Sequence, residues 1–268
     1  MDFNHLLKRA VAEPEDYRDE KGFLYCGKCR TRREMTVNIC GEPYIVRIAC
    51  KCREEAQNRE DKHAEDLERA QRIERRRQWA LGDSRLFEST FDRDDGKTKI
   101  AGAMQKYAQN FDQMRDSNTG LLLFGPVGTG KTFLAACIVN EVCKNWTARM
   151  TSFARISEEI SANMNFRKSI IRDLSRADLL VLDDLGAERQ SSYMSEIVFE
   201  VVDTRYSAKR PLIVTTNMTL DEIRRPKDSQ YARIYDRITE MCEPVLIDGP
   251  SRRIEKAKNR GTREFLGI

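Results

Sequence analysis

The segment Gly125-Pro-Val-Gly-Thr-Gly-Lys-Thr132 fits the pattern G-x-x-x-x-G-K-[ST] at every fixed position. It follows an apolar run, Leu121 to Phe124, and opens an amphipathic stretch carrying Phe133, Leu134, Cys137, Ile138 and Val142. A strand feeding a glycine-rich loop that feeds a helix is the context in which this pattern has a mechanism. The glycines let the backbone curl into a concavity whose N–H groups face a phosphate, and the helix adds the positive end of its dipole. Gly125, Pro126, Val127, Gly128, Thr129, Gly130, Lys131 and Thr132 are therefore candidates for holding a nucleotide triphosphate, with Lys131 reaching the β- and γ-phosphates and the Thr132 hydroxyl ligating Mg²⁺.

The surroundings agree with an α/β fold. From about Arg85 onward, short apolar runs alternate with longer amphipathic stretches, the signature of a largely parallel sheet with helices on both faces. Buried strands are expected at Leu121–Phe124, Leu179–Leu182, Leu212–Thr215 and Val245–Ile247, with a weaker fifth near Met150–Phe153. Helices are expected from Lys131 to about Asn145, Ser157 to Ser175, Tyr193 to Ser207 and Tyr231 to Met241. The third strand ends in Asp183-Asp184, which places two carboxylates at the carboxyl end of a buried strand, where α/β sheets bind ligands. Buried charge is costly without a partner, so adjacent acids there point to a cation. Asp183 is the candidate for the Mg²⁺ side, and Asp184 for orienting or deprotonating an attacking water. The next strand, Pro211 to Asn217, ends in polar side chains, and the Asn217 amide is a candidate for positioning that water.

The 268 residues carry 47 Lys plus Arg against 43 Asp plus Glu, a net +4, with 34% charged and 40% hydrophobic residues. These values fit a folded globular chain of one or two domains and exclude wholesale disorder. The sequence contains no apolar run of the ~18 residues a membrane span needs, and its opening residues lack the pattern of a secretory signal, so no membrane role and a cytoplasmic location are expected. The small positive excess does not identify a nucleic-acid partner by itself.

Eight cysteines in a reducing compartment favour metal or buried-thiol roles over disulfides. Cys137, Cys143 and Cys242 lie in apolar segments and read as small core residues. Cys26-Gly-Lys-Cys29 and Cys50-Lys-Cys52 bracket 20 residues, close to a four-thiolate Zn²⁺ arrangement. The second pair is tighter than usual, and Cys40 is an alternative for one ligand. So short a segment cannot bury enough apolar area to fold without a staple. Three parts follow: a zinc-binding module over residues 1–52, a charged helical linker over 53–84, and an α/β domain over 85–268.

The phosphate loop, the acidic strand end and Thr216-Asn217 together resemble an AAA+ ATPase. More narrowly, Asp178 to Gly186, Lys209 to Asn217, Arg233 to Ile238 and Gly249 to Arg253 resemble the bacterial DnaC/DnaI-type helicase loaders and their IstB-like transposition relatives. That resemblance implies ATP held between subunits of an ATP-bridged oligomer, with Arg237, or Arg233 one turn earlier, as the arginine finger completing a neighbour's site. It implies Arg253, or else Arg252, as the sensor arginine, and an adenine contact near Phe87 to Phe91, with Phe91 as the candidate. It further implies single-stranded DNA binding through the basic residues Arg155, Arg167, Lys168, Arg172 and Arg176, and a replicative DNA helicase as the partner of residues 1–80. The function so implied is ATP-dependent loading of that helicase. The alternatives are an IstB-like transposition regulator and a nucleotide-gated adaptor that does not hydrolyse ATP, because Asp184 stands where many relatives have the longer Glu.

Overall fold

The computed structural model describes residues 11–94, 100–162, 164–186, 192–226 and 229–254. The chain divides into two compact units, residues 1–71 and 72–268. No helix among the described residues is long and apolar enough to cross a membrane.

The first unit holds two small antiparallel ladders. Strand β1 (Tyr17–Arg18) pairs with β2 (Leu24–Tyr25), and β3 (Glu34–Ile39) pairs with β4 (Glu42–Arg47). The second pair closes at Cys40-Gly41, both with positive φ (52° and 90°), the backbone of a tight hairpin turn. Among the described residues of this unit, Leu24, Cys26 and Cys50 are the buried apolar ones. Arg33 and Glu34 are buried beside them and are ion-paired to Asp16 and Arg18. Helix α1 (Lys51–Leu81) then runs for 31 residues without Gly or Pro. The sequence places a helix here because Glu and Arg interleave at i,i+3 and i,i+4 spacings. The division between the units falls within it, after Gln71.

In the second unit the chain passes through two 3-10 turns, Ser84–Glu88 and Phe91–Arg93, and helices α2 (Ala101–Gln109) and α3 (Phe111–Asp116) before the sheet. Five parallel strands follow: β5 (Gly120–Phe124), β6 (Ala148–Ser152), β7 (Leu179–Leu185), β8 (Leu212–Thr216) and β9 (Cys242–Leu246). Their order across the sheet is β6-β7-β8-β5-β9. The connecting helices are α4 (Lys131–Val142), α5 (Phe153–Ala162), α6 (Arg167–Arg176), α7 (Ser192–Ser207), α8 (Leu220–Arg224) and α9 (Ser229–Met241).

Strand periodicity splits the core in two. Leu122, Leu180, Leu182 and Val214 face α5, α6, α7 and α9, whereas Leu121, Leu123, Val181 and Ile213 face α4, α2 and α3. Burial on both faces explains why these strands read as continuous apolar runs.

Two expectations are corrected. The helix anticipated from Ser157 to Ser175 is two helices, α5 and α6, separated by a 3-10 turn at Met164–Phe166 whose Phe166 is exposed. The strand anticipated as buried at Val245–Ile247 is the edge strand β9, paired with β5 alone among the described residues. Pro244 fits such an edge because it has no N–H to give to a further neighbour, and Leu246 is largely exposed there.

Candidate functional site

The carboxyl ends of β5, β7 and β8 converge on the loop 125–132. Gly125 sits at φ 142°, and a Cβ there would stand 2.3 Å from the Ile247 carbonyl oxygen. Gly128 (φ 87°) is equally confined, since a Cβ on it would lie 2.2 Å from Ser251 Oγ. Both adopt a positive φ that favours glycine, and at Gly125 the fixed Ile247 carbonyl also leaves no space for a Cβ. Thr129 Oγ1 donates to the Pro126 carbonyl at 3.0 Å and pins the turn, while Val127 stands exposed at its tip. Lys131 is 5% exposed and its Nζ donates to the Gly125 and Pro126 carbonyls at 2.8 and 2.7 Å. Burial holds the Lys131 ammonium pKa below its usual range, against the opposing pull of Asp184 and Asp183, and the charge of Arg253 acts in the same direction as burial.

Across the loop, β7 carries an extra residue. Leu182 pairs with Val214 and Leu185 with Thr216, so Asp183-Asp184 form a bulge, with Asp184 in the left-handed region at φ 58°. The bulge sends the two acids to different environments. Asp183 is partly buried and accepts from Thr132 Oγ1 at 3.0 Å and Thr215 Oγ1 at 2.6 Å. Asp184 is exposed, and its backbone N–H donates to Thr215 Oγ1 at 2.9 Å. Desolvation raises the Asp183 pKa, and the nearby Asp184 carboxylate adds to that, while its hydroxyl donors pull the other way. A hydroxyl and a carboxylate oxygen on adjacent positions of octahedral Mg²⁺, at 2.0–2.1 Å from the ion, stand about 2.9 Å apart. The Thr132–Asp183 pair at 3.0 Å therefore fits a Mg²⁺ ligand set without rearrangement.

Asn217 is exposed just beyond β8. Its neighbour Thr216 is buried, donating to the Leu185 carbonyl at 2.6 Å and accepting from the Met218 N–H at 3.1 Å, which fixes the end of the strand. Phe87 and Phe91 are partly buried against the hydrophobic core on the α4 side of the sheet. That segment is held by Asn140 of α4, whose Nδ2 donates to the Leu86 and Ser89 carbonyls at 3.0 and 2.8 Å, and by Arg77, which donates to Asn140 Oδ1 at 2.8 Å. Past β9, Arg253 is exposed, whereas Arg252 is committed: its backbone N–H donates to the Gly128 carbonyl and its guanidinium pairs with Asp94.

The candidate arginines of α9 differ in the same way. Arg233 is exposed. Arg237 is ion-paired to Asp203 of α7 and lies over the Phe199 and Tyr206 rings at 4.8 and 5.4 Å. Of the basic residues between β6 and β7, Arg167 is paired to Glu200 at 2.7 Å and Arg155 to Asp83 at 3.7 Å. Lys168, Arg172 and Arg176 join Arg210 around an open groove of about 340 Å³.

In the first unit, the ligand atoms of Cys26, Cys29, Cys50 and Cys52 all lie within 4.8 Å of one another. Two of the sulfur pairs are at 3.4 Å (Cys50 to Cys52) and 3.6 Å (Cys26 to Cys52). Sulfurs at 2.3 Å around tetrahedral Zn²⁺ stand about 3.8 Å apart, so this donor set fits the ion in kind and spacing. Gly27 is required inside the first knuckle, where a Cβ would meet the Glu15 carbonyl at 1.9 Å. The Thr31 hydroxyl, then the Cys52 N–H, hold the Cys29 thiol down at about 5, whereas the sulfurs of Cys50, Cys26 and Cys29 push Cys52 up to about 12. Cys40, the alternative ligand, lies exposed in the β3–β4 turn, outside the cluster.

Sequence reading missed Thr215, Asn140 and Asp94. The Thr-Thr pair closing an otherwise apolar strand is the signal that could have found the first. Asn140 and Asp94 gave none, because their partners lie more than 50 residues away in the chain.

With this geometry in place, residues 52–260 match the family described as IstB-like ATP binding protein. The chain is 32% identical over 137 residues to the replicative helicase loader DnaC of Escherichia coli K12, which covers 48% of this chain and 54% of that protein. It is 27% identical over 147 residues to the replicative helicase loader DnaI of Bacillus subtilis, covering 50% and 47% respectively. An ATP-binding protein of a Mycobacterium tuberculosis insertion sequence is 27% identical over 169 residues, covering 61% of this chain and 67% of that one. The chain thus spans about half the length of the helicase loaders it matches. Among solved structures, a DnaI crystal structure superposes with a TM-score of 0.55 at 24% identity, covering 67% of this chain and all of that one. A DnaC helicase loader does so with 0.52 at 21% identity, covering 62% of this chain and all of that one. At those identities the likeness establishes the fold, a P-loop AAA+ type sheet.

Proposed function

The chain belongs to the IstB-like ATP binding protein family, and from that premise we propose that it hydrolyses ATP with Mg²⁺ to load a replicative DNA helicase onto single-stranded DNA. The observation that carries the hydrolytic part is the meeting of Thr132 and Asp183 at 3.0 Å with Asp184 turned outward on the adjoining bulge. In this reading the loop N–H groups and Lys131 hold the phosphates, and Lys131 leaves the Gly125 and Pro126 carbonyls to do so. Thr132 and Asp183 ligate Mg²⁺, which neutralises charge on the phosphate oxygens when bound. Asp184 and Asn217 orient the attacking water, and Phe91 and Arg253 contact the nucleotide from the two flanking segments.

A neighbouring subunit supplies an arginine to the γ-phosphate. The exposed Arg233 can do so directly, whereas Arg237 must first leave Asp203. The loader role is supported by similarity to DnaC and DnaI. Four thiolates hold Zn²⁺ in the module that grips the helicase. Lys168, Arg172 and Arg176 supply charge to the DNA backbone, so binding weakens steeply with salt.

The test is ATP turnover with and without single-stranded DNA, together with co-purification against a hexameric helicase. Asp184→Asn should bind ATP as the parent does and lose turnover. Parent protein that binds ATP yet never turns it over, with DNA and helicase present, would leave a nucleotide-gated adaptor instead. The similarity to the insertion-sequence protein favours one further reading, a regulator that brings a transposase to DNA. Capture of a transposase in place of the helicase would select it.

A further inference from the structure

Arg252 and Asp94 are 158 residues apart in sequence, yet Arg252 Nη2 donates to Asp94 Oδ1 at 2.9 Å, with side chains only 20% and 6% exposed. The guanidinium lies 5.6 Å from the centre of the Phe133 ring, on the first turn of α4, and its Nε comes within 3.3 Å of where a Cβ on Gly130 would stand. The same residue's backbone N–H donates to the Gly128 carbonyl at 3.0 Å, and Ser251 packs against Gly128. One residue thus grips the phosphate loop twice, by main chain at Gly128 and by side chain over Gly130 and Phe133. Its far end is anchored on Asp94, at the close of the 3-10 turn that carries Phe91.

We infer that Asp94 and Arg252 form a clasp that sets nucleotide affinity by fixing the loop's Gly128–Gly130 limb between the segments before and after the sheet. Both are positioning residues. Gly128 and Gly130 have no side chains and adopt backbone angles that glycine visits freely in both directions. Without an outside restraint, the loop N–H groups sample orientations that do not converge on a phosphate, and each ATP bound must first select the convergent one. The clasp removes that cost. It also places the next residue, Arg253, close enough to Lys131 for its charge to be felt there. A partly buried pair with little access to water is worth more than a surface bridge, because the Asp94 carboxylate is desolvated whether or not its partner is present.

The inference rests on ATP binding at this loop, and the experiment separates the two. ATP and ADP affinities are titrated in Mg²⁺ for the parent, Asp94→Asn, Asp94→Glu, Arg252→Gln and Arg252→Lys, with KM and kcat wherever turnover is measurable. Absence of binding by the parent removes the nucleotide site itself. Given a parent that binds, Asp94→Asn and Arg252→Gln should each weaken ATP about tenfold, the size expected for a lost charge-assisted hydrogen bond. Asp94→Asn should raise KM in proportion and leave kcat within twofold. The double variant should be no weaker than either single one, because both break the same clasp. Asp94→Glu should recover most of the affinity. Affinity within twofold of the parent in both charge-removing variants overturns the clasp, as does a loss in Asp94→Glu equal to that in Asp94→Asn. Should Asp94→Asn fail to fold, the Arg252 pair decides alone, with Arg252→Lys keeping affinity that Arg252→Gln loses.

Discussion

The two units reach order by opposite means. In the first, Leu24, Cys26 and Cys50 are the buried apolar residues among those described, and the rest of the interior is made of ion pairs and sulfur. In the second, both faces of a five-stranded sheet are covered by helices, and most strand residues are buried. A two-stranded hairpin with so little beneath it is at best marginal in water, whereas a sheet covered on both sides supplies its own driving force. The comparison teaches that on the proposed four-thiolate Zn²⁺ site the small unit's fold would depend on its metal, whereas the large unit buries a core of its own.

The largest expected effect exploits that difference. Stripping Zn²⁺ with a chelator, or replacing Cys26 with Ser, should unfold the first unit outright, since a structural zinc contributes on the order of 10 kcal/mol. The β3–β4 resonances should collapse in a two-dimensional NMR spectrum while ATP affinity holds within twofold. Metal analysis of the intact protein should give about one zinc per chain. A hairpin that persists without metal breaks the comparison at its root.

Next in size is Arg205 in α7, a fully buried cation that donates to four backbone carbonyls: Ser175 (3.1 Å), Ala177 (2.5 Å), Asp178 (3.0 Å) and Pro211 (2.5 Å). It ties the incoming ends of β7 and β8 together, and burial lowers its pKa to about 9. Arg205→Met should cost about 4 kcal/mol, because the carbonyls are left without donors in a dry interior. The thermal midpoint of the second unit should fall by more than ten degrees, with zinc content unchanged. An unchanged midpoint would show that this interior tolerates the loss of a buried polar network.

How much of this was legible beforehand follows the same divide. The placement of the loop after β5, of the two acids at the end of β7 and of the four clustered cysteines could be read because each pattern is local in sequence. The sheet could be read because burial on both faces writes apolar runs. What escaped was long-range or conditional on topology. Nothing near Arg205 announces that its charge is spent on carbonyls 6 to 30 residues away. Arg237 reads as an arginine-finger candidate one turn from Arg233, and its partner Asp203 emerges only from the packing of α9 on α7. The break between α5 and α6 and the edge position of β9 depend on which neighbours each element meets, and periodicity carries no information on that.

A third variant sharpens the claim that the second unit keeps its fold when its ligand is lost. Lys131→Ala should weaken ATP at least about a hundredfold, close to 3 kcal/mol, by removing the ammonium that now caps the Gly125 and Pro126 carbonyls. Burial of that ammonium is unfavourable in the free protein, so the apo thermal midpoint should hold steady or rise slightly. A large fall would show that fold and ligand site are coupled here too, and the contrast with the zinc unit would narrow.

The smallest effect tests the boundary of the metal set. Cys40 and Gly41 occupy the β3–β4 turn with φ of 52° and 90°, the backbone of a type I′ hairpin, in which Asn-Gly is the preferred pair. Cysteine has no side-chain group that eases the left-handed conformation, whereas Asn does. Cys40→Asn should therefore leave zinc at about one per chain and stabilise the hairpin by about 0.5 kcal/mol, read as a rise in the chelator concentration needed to unfold the first unit. Cys52→Ser in the same assay should lose the metal, because Cys52 stands within 3.6 Å of two other sulfurs. If Cys40→Asn instead releases zinc, the turn has donated a ligand, and the first unit is held by a different set of four.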